Sequence, residues 1–193
     1  MVSKNNVRKK ISVCCILALC ILAVTGCSGK KDENGSMTAK DGRSYGGEIN
    51  GKEGEVISTA FFDMVIEDTS KYETFQFEDG LYQPESGSTY LVVTLTIKNT
   101  YEKDLPMSIT DFTLDYEGAG KKVVTGYGKA DLNINDYMDN LFTLKKGESI
   151  TKKILYTVPD IEKYIISYSE YYEDEFKGNH FVVTIKPKKN SQS

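Results

Sequence analysis

The chain of 193 residues has no tryptophan, one histidine, four cysteines and four prolines. Each shortage excludes something. Triad chemistry and imidazole metal sites would both rest on His180, and nothing near it in sequence completes either constellation. It stands in the turn expected before "FVVTIK", where a solvated residue is the plain expectation. Cys14, Cys15 and Cys20 fall inside one apolar run, and only Cys27 lies beyond it. With no cysteine pair left over, no internal disulfide, thiol nucleophile or thiolate metal site is expected. The glycine-rich stretches lack Walker or Rossmann spacing, so no phosphate loop forms. No long segment carries a helical stripe, which argues against the two α/β lobes of a solute-binding protein. No cofactor is expected.

What is present begins with charge. Lys4, Arg8, Lys9 and Lys10 precede the apolar run Ile11 to Thr25, "ISVCCILALCILAVT", with no acid among them. The run is about fifteen residues, short of the roughly twenty that span a bilayer. A basic flank and a short run mark a secretory signal peptide. It ends Val24-Thr25-Gly26-Cys27, which resembles the bacterial lipobox: aliphatic, small or β-branched, Gly or Ala, then Cys. That resemblance implies lipidation of the Cys27 thiol and cleavage before it. Acyl chains contribute about 0.8 kcal/mol per buried methylene, and two or more chains hold stably. Ser28 is not the aspartate of the enteric inner-membrane retention signal. The alternatives are an ordinary cleaved signal or an uncleaved anchor.

The full chain carries a formal net charge of −4. Without the four bases before Cys27, 20 basic and 28 acidic residues remain, a net of −8. An acidic domain is repelled by phosphate backbones, so nucleic acid is excluded as a partner.

From Ser28 to Gly54 the chain holds seven glycines and few apolar residues, a composition that favours a flexible linker. From about Glu55 the apolar period becomes two. In "TYLVVTLTIKNT", Leu91, Val93, Leu95 and Ile97 share one face, and Val92, Thr94, Thr96 and Lys98 the other, as in a half-buried strand. Phe112, Leu114 and Tyr116 align, as do Ile150, Ile154, Tyr156 and Val158. So do Tyr164, Ile166 and Tyr168, and Phe181, Val183 and Ile185. "VISTAFFDMVIED" makes an opening strand with a break. Shorter strands are expected at Glu73–Phe77, Lys121–Thr125 and Leu141–Leu144. "DIEKYI" suits a helical turn and "DLNINDYMDN" a short helix or loop. Turns are signalled at Asp79-Gly80, Glu117-Gly118, Lys146-Gly147 and Gly178-Asn179. Seven or eight short strands predict an all-β fold, a sandwich or barrel.

The ordered segments "GEVISTAFFDMVIED", "YLVVTLTIKNTYEKDLPM", "FTLDYEGAG" and "LKKGESITKKILYTVP" resemble bacterial lipoproteins that carry an immunoglobulin-like domain of unknown function. The fold of that family is similar to that of the mycobacterial immunoprotective secreted antigen. The resemblance implies an antiparallel two-sheet sandwich over residues 55–187, secretion and a lipid anchor, and no chemistry. The full organisation expected is a signal peptide (1–26), a lipidated N-terminus and flexible linker (27–54), the sandwich (55–187) and a disordered tail (188–193). The absence of Trp and of a cysteine pair departs from antibody domains. Labels of DNA or telomere binding, which some family members carry, do not suit an acidic exported domain.

Two acidic stretches invite a site. "DLNINDYMDN" opens as D-x-N-x-N. Its sixth position is Asp136 where an EF-hand needs Gly, and its twelfth is Phe142 where Glu should bind, so that motif fails. A looser calcium site among Asp131 to Asp139 is set against a plain polar loop. "SEYYEDEFKGN" gathers acids beside aromatics. Tyr171, Tyr172, Glu173, Asp174 and Phe176 form the candidate binding loop, whose rings and carboxylates suit sugars or peptides. The contrary expectation is a solvated hairpin whose tyrosines cover a sheet end. Thirteen tyrosines suit interfaces and strand surfaces alike. The expected function is that of a monomeric, non-catalytic lipoprotein on the extracytoplasmic face of the cell membrane, anchored through Cys27 and binding a protein, glycan or envelope component. The alternative is a hydrolase using two carboxylates.

Overall fold

The structure is a computed structural model that describes residues 31–117 and 126–190. The expected signal peptide, the lipidation position Cys27 and the strand expected at Lys121–Thr125 lie outside the described residues. In chain order the strands are β1 (Met37–Thr38), β2 (Ser44–Tyr45), β3 (Glu48–Lys52), β4 (Ile57–Ser58), β5 (Phe62–Tyr72), β6 (Phe75–Phe77), β7 (Gly80–Tyr82) and β8 (Ser88–Asn99). They continue with β9 (Leu105–Ser108), β10 (Thr113–Asp115), β11 (Leu141–Leu144), β12 (Ser149–Pro159), β13 (Tyr164–Tyr171), β14 (Lys177–Ile185) and β15 (Lys188–Asn190). One helical turn, α1 (Lys129–Leu132), falls in the "DLNINDYMDN" region, while "DIEKYI" forms no helix. The fold is all-β.

Two sheets carry the molecule. One runs β12-β8-β5-β15 with β4 added to β5, and the other runs β10-β13-β14-β3. Their alternating apolar residues meet in a shared core. Met64, Ile66, Leu91, Val93, Leu95, Ile97, Ile154, Tyr156 and Val158 come from the first sheet; Leu114, Tyr164, Ile166, Tyr168, Phe181, Val183 and Ile185 come from the second. Tyr156 is buried whole, and its hydroxyl donates to the Phe112 carbonyl at 3.3 Å, so the one polar atom of its ring is satisfied. Tyr164 opens β13. Its hydroxyl donates to Pro159 O at 2.6 Å and accepts from Ile161 N–H at 3.2 Å. This is the tyrosine-corner arrangement of immunoglobulin-type sandwiches, a polar pin where the chain crosses between sheets.

Four features differ from the sequence expectation. The expected sandwich was antiparallel, and the long strand pairs are, but β14 pairs β3 and β15 pairs β5 in parallel. Both parallel additions are chain-end segments. The linker expected over 27–54 carries three strands from Met37 onward, β1, β2 and β3, and the expected tail is a strand at Lys188–Asn190. Composition misleads there because main-chain pairing, not side-chain burial, holds these segments: β3 occupies an edge of β14 that would otherwise expose unpaired N–H and C=O groups. Lastly, the outer face of β8 is not simply half-buried. Tyr90 and Val92 (7% exposed) join Phe75, Leu132, Tyr137 and Leu155 in a second apolar cluster. The β6–β7 hairpin and the segment through α1 supply its cover, the latter bridging β12 at Leu155 and Lys153.

The "KNT" and "KGE" segments meet in space. Asn99 N–H donates to Glu148 O at 2.9 Å and Gly147 N–H to Asn99 O at 3.2 Å. Gly147 has φ 76°, which only glycine adopts freely. The buried Asn99 side chain donates to Lys103 O and Leu144 O, at 2.9 and 2.8 Å, and accepts from Tyr101 N–H at 2.8 Å. It thereby fixes the turn that carries Tyr101 and Asp104.

Tyr164→Phe removes the pin without changing the packed ring. It takes one hydrogen bond from the Pro159 carbonyl and one from the Ile161 amide, which keep their mutual bond at 3.0 Å, and should lower unfolding free energy by about 1 kcal/mol. Urea unfolding with an unchanged m value is the check; no loss would mean that water replaces the hydroxyl.

Candidate functional site

The candidate loop is the turn between β13 and β14. Tyr172 N–H donates to Phe176 O and Glu175 N–H to Tyr172 O, both at 3.0 Å, and Glu175 sits at φ 64°. A three-residue hairpin connection with a left-handed last residue has this form. Behind it lies a β-bulge: Ser169 faces His180 and Tyr171 faces Lys177, so Gly178 and Asn179 together oppose Glu170. The Gly178-Asn179 turn signal is therefore this bulge inside β14. Glu170 explains it. Its side chain turns inward and is 2% exposed. Ala60 N–H donates to its Oε1 at 2.7 Å, and Asn179 N–H to its Oε2 at 2.8 Å. A Cβ on residue 178 would lie 2.3 Å from that Oε2, so the position needs glycine.

Asn179 passes the connection to the N-terminal arm. Its Oδ1 accepts from Ser36 Oγ–H and from Gly47 N–H, each at 3.0 Å. The arm in turn places Arg43, the only arginine after Arg8, against the loop. Its guanidinium donates to both Asp174 oxygens, at 2.8 and 2.9 Å, and its Nε–H donates to Asp41 Oδ2 at 2.9 Å. The same group lies 4.0 Å from the Phe176 ring centroid and 4.8 Å from that of Tyr172. A planar fork suits both contacts, which an ammonium does not reproduce. Hydrogen bonds from Arg43 hold the Asp174 and Asp41 carboxyls below the usual carboxylate range, and those carboxylates raise Arg43 in return.

Beside this clamp opens a groove of about 480 Å³. Phe61, Tyr101, Leu105, Met107, Tyr168 and Tyr172 give it apolar walls; Asp104, Asp111, Glu173 and Asp174 bring carboxylates, and Arg43 is its one base. Tyr172 stacks 4.8 Å from Phe61, which itself meets Tyr101 edge-on at 5.4 Å. Burial, and then the nearby Glu170, push the Tyr172 phenol up. Asp111 caps the 3-10 turn Ile109–Asp111 by accepting from Ser108 N–H at 2.8 Å, and its burial outweighs that bond and raises it. Asp104 accepts from Lys146 N–H at 3.0 Å.

Tyr171, Tyr172, Glu173 and Asp174 all line this groove. Phe176 does not; its face is taken by Arg43. Tyr171 is 62% exposed, with Lys177 Nζ 5.8 Å from its ring. Sequence reasoning missed Arg43, Phe61, Tyr101 and Asp104. The lone arginine in a glycine-rich arm was the available signal for the first.

His180 is not in a turn. It lies within β14, half-buried, with Nδ1 2.9 Å from Ser169 Oγ on the neighbouring strand. Among the described residues no carboxylate bonds its ring, so the pair lacks the orienting acid of a triad. In the "DLNINDYMDN" segment Asp136 approaches Lys153 and Asp139 approaches Lys129, each at 3.9 Å. Among the described residues no group of three or more His, Cys, Asp or Glu is placed to hold a metal ion. The Asp131 side chain is outside the description.

Residues 51–179 match the family model described as "Domain of unknown function (DUF4352)". The chain belongs to that family. The DUF4352 match takes in β4 to β13, the bulge and every groove residue except Arg43, which stands ahead of it. Among curated proteins none matches the chain. Among solved structures, it is similar to the Bacillus subtilis protein ycdA, described as a lipoprotein, with 21% identity and a TM-score of 0.52. That match covers 69% of this chain and 38% of the other, so the chain spans well under half of that protein. It is also similar to the Bacillus subtilis yjhA protein, with 15% identity, a TM-score of 0.50, and coverage of 71% and 98%. At such identities the likeness concerns the fold alone.

Two outcomes test the site's internal chemistry. Glu170→Ala strands two amide donors and should cost about 3 kcal/mol in urea unfolding; a cost under about 1 kcal/mol would mean that water replaces the carboxylate. For the clamp, folded-state carboxyls below their unfolded values stabilise the protein at neutral pH. That contribution persists down to the ordinary carboxylate range near 4, and is lost as pH falls through the lowered values. Carboxyl-carbon NMR titration should place the Asp174 midpoint below that range; a midpoint at or above it means the clamp is open in solution.

Proposed function

We propose that the chain is a lipid-anchored, extracytoplasmic binding module that works as a monomer. Cys27 carries the lipid, and the end groove holds a protein, glycan or envelope component without transforming it. The observation that carries the binding half is the groove itself: a cavity walled by aromatic rings at the end of a rigid sandwich, with a small number of placed polar groups. Three of its four carboxylates have structural partners. Asp174 is bonded to Arg43, Asp111 to Ser108 N–H and Asp104 to Lys146 N–H. A two-carboxylate hydrolase needs a free acid and a free base facing its substrate, so these engagements favour binding over catalysis.

The anchoring half is supported by the Val24-Thr25-Gly26-Cys27 segment behind a basic flank and a short apolar run.

Labelling cells with a radioactive fatty acid should mark the protein, and Cys27→Ala should abolish the label and release the protein from the membrane fraction. A labelled Cys27→Ala protein, or one that stays with membranes, would sink the anchor. For the groove, the immobilised mature chain should retain a component of solubilised envelope, and Tyr101→Ala/Tyr171→Ala should retain it about tenfold less, a loss within the range of interface aromatics. Equal retention by both forms would move the site elsewhere.

A further inference from the structure

The groove lies at the end of the domain where the chain emerges from its anchor. The first described residues are docked there. Ser36 Oγ–H donates to Asn179, Gly46 N–H donates to Gly178 O at 3.2 Å, and Arg43 clamps Asp174. Arg43 itself lines the groove. Between Cys27 and Lys31 there are four peptide steps, which reach at most about 14 Å. A flexible linker over the whole of 27–54 would instead have an r.m.s. span of roughly 30 Å and a contour several times longer. If Cys27 is lipidated, as proposed above, the folded arm keeps this end of the sandwich close to the headgroups.

The chemistry of the groove selects by charge. Arg43 directs its fork to Asp41 and Asp174, so it does not present an open cation to an anionic ligand. Asp104 and Glu173 remain at the exposed rim, with Asp111 deeper. The walls between them are Phe61, Tyr101, Leu105 and Tyr172. Arg43 also shows what this surface accommodates: its cation rests against the Tyr172 and Phe176 rings with a carboxylate at its edge. Ring faces and carboxylates both attract cations, and apolar walls take the adjoining hydrocarbon.

We propose that the groove binds amine-bearing membrane amphiphiles, taking the cationic headgroup at Asp104 and Glu173 and the apolar part beside it between Tyr101 and Tyr172. This deepens the binding reading and rests on it. Position favours a lipid over a peptide, because a ligand resident in the bilayer surface meets the groove without leaving the membrane.

The test uses residues 28–193, the mature chain without its Cys27, which keeps every described residue. Calorimetric titration at low ionic strength compares twelve-carbon amphiphiles below their micelle concentration: dodecylammonium, dodecyl maltoside and dodecanoate. Spermidine, a cation without a tail, is the fourth probe. Dodecylammonium should bind about tenfold more tightly than the neutral maltoside and more tightly than spermidine, and its advantage should shrink in high salt. Asp104→Asn/Glu173→Gln should erase the charge preference and leave the weak neutral binding unchanged. The amide at 104 still accepts from Lys146 N–H, so thermal unfolding should match wild type. Equal binding of charged and neutral tails, a preference that survives the double substitution, or spermidine binding as tightly as dodecylammonium would overturn the proposal. So would tight binding of a lysine-rich peptide with none of the amphiphiles, which would assign the groove to a protein partner. If the envelope capture above succeeds and the amphiphiles show no charge preference, the binding module stands and its ligand class falls. Loss of capture as well removes both.

Discussion

Glu170 is a carboxylate with almost none of its surface open to water, so its charge has to be met by the protein. Ala60 N–H meets it from the β4–β5 connection of one sheet, and Asn179 N–H from β14 of the other. Asn179, held in that position by the bulge, uses its side-chain oxygen to receive Ser36 and Gly47 of the arm. One buried charge thus ties two sheets and an N-terminal segment at a single end of the sandwich. The groove opens at the same end, lined by Phe61 beside Ala60, by Tyr172 two residues after Glu170, and by Arg43 of the arm. Substituting Glu170 therefore disturbs the walls of the site as well as the stability of the fold.

The arm shows how a segment with few apolar residues becomes ordered. Its side chains bury little, and by composition alone it cannot offset the entropy of ordering. It is held by main-chain pairing of β3 along β14, by Asn179, and by the Arg43 fork. Each of these partners lies more than a hundred residues away in sequence. The pairing also closes a sheet edge that would invite another chain. Order in the arm then removes most of the reach that a free linker would give, which changes how the domain would stand relative to the lipid anchor proposed at residue 27.

The alternating runs were legible because period two depends on the local backbone alone. Leu91, Val93, Leu95 and Ile97 face the core together, as do Phe181, Val183 and Ile185. The turn signals were legible at Lys146-Gly147, where glycine is needed for its positive φ. They misled at Gly178-Asn179, because a glycine required by a nearby side chain looks the same in sequence as one required by a turn. Val92 was placed on an outer face, which is true; what covers that face comes from β6 and from the segment through α1, and no local pattern announces it. Of the candidate site, the loop Tyr171 to Asp174 was legible from its composition. The groove was not, because Arg43, Tyr101 and Tyr172 come from three segments with no shared spacing.

Charge decides what such a loop can recognise more than composition does. In sequence, Asp174 and Phe176 look like a free carboxylate and a free ring, ready for a sugar or a peptide. Folded, both belong to Arg43, which also neutralises Asp41. The clamp therefore removes the one base of the groove from competition and leaves the carboxylates of Asp104, which holds the Lys146 N–H, and Glu173 beside the aromatic walls. A groove lined by four acids and one engaged base favours cations by subtraction. Because the engaged base sits on the arm, loosening the arm would withdraw the guanidinium and leave Asp174 as a further free carboxylate in the groove. Selectivity for charge and attachment of the arm are thus one property of the fold, carried by the same side chain.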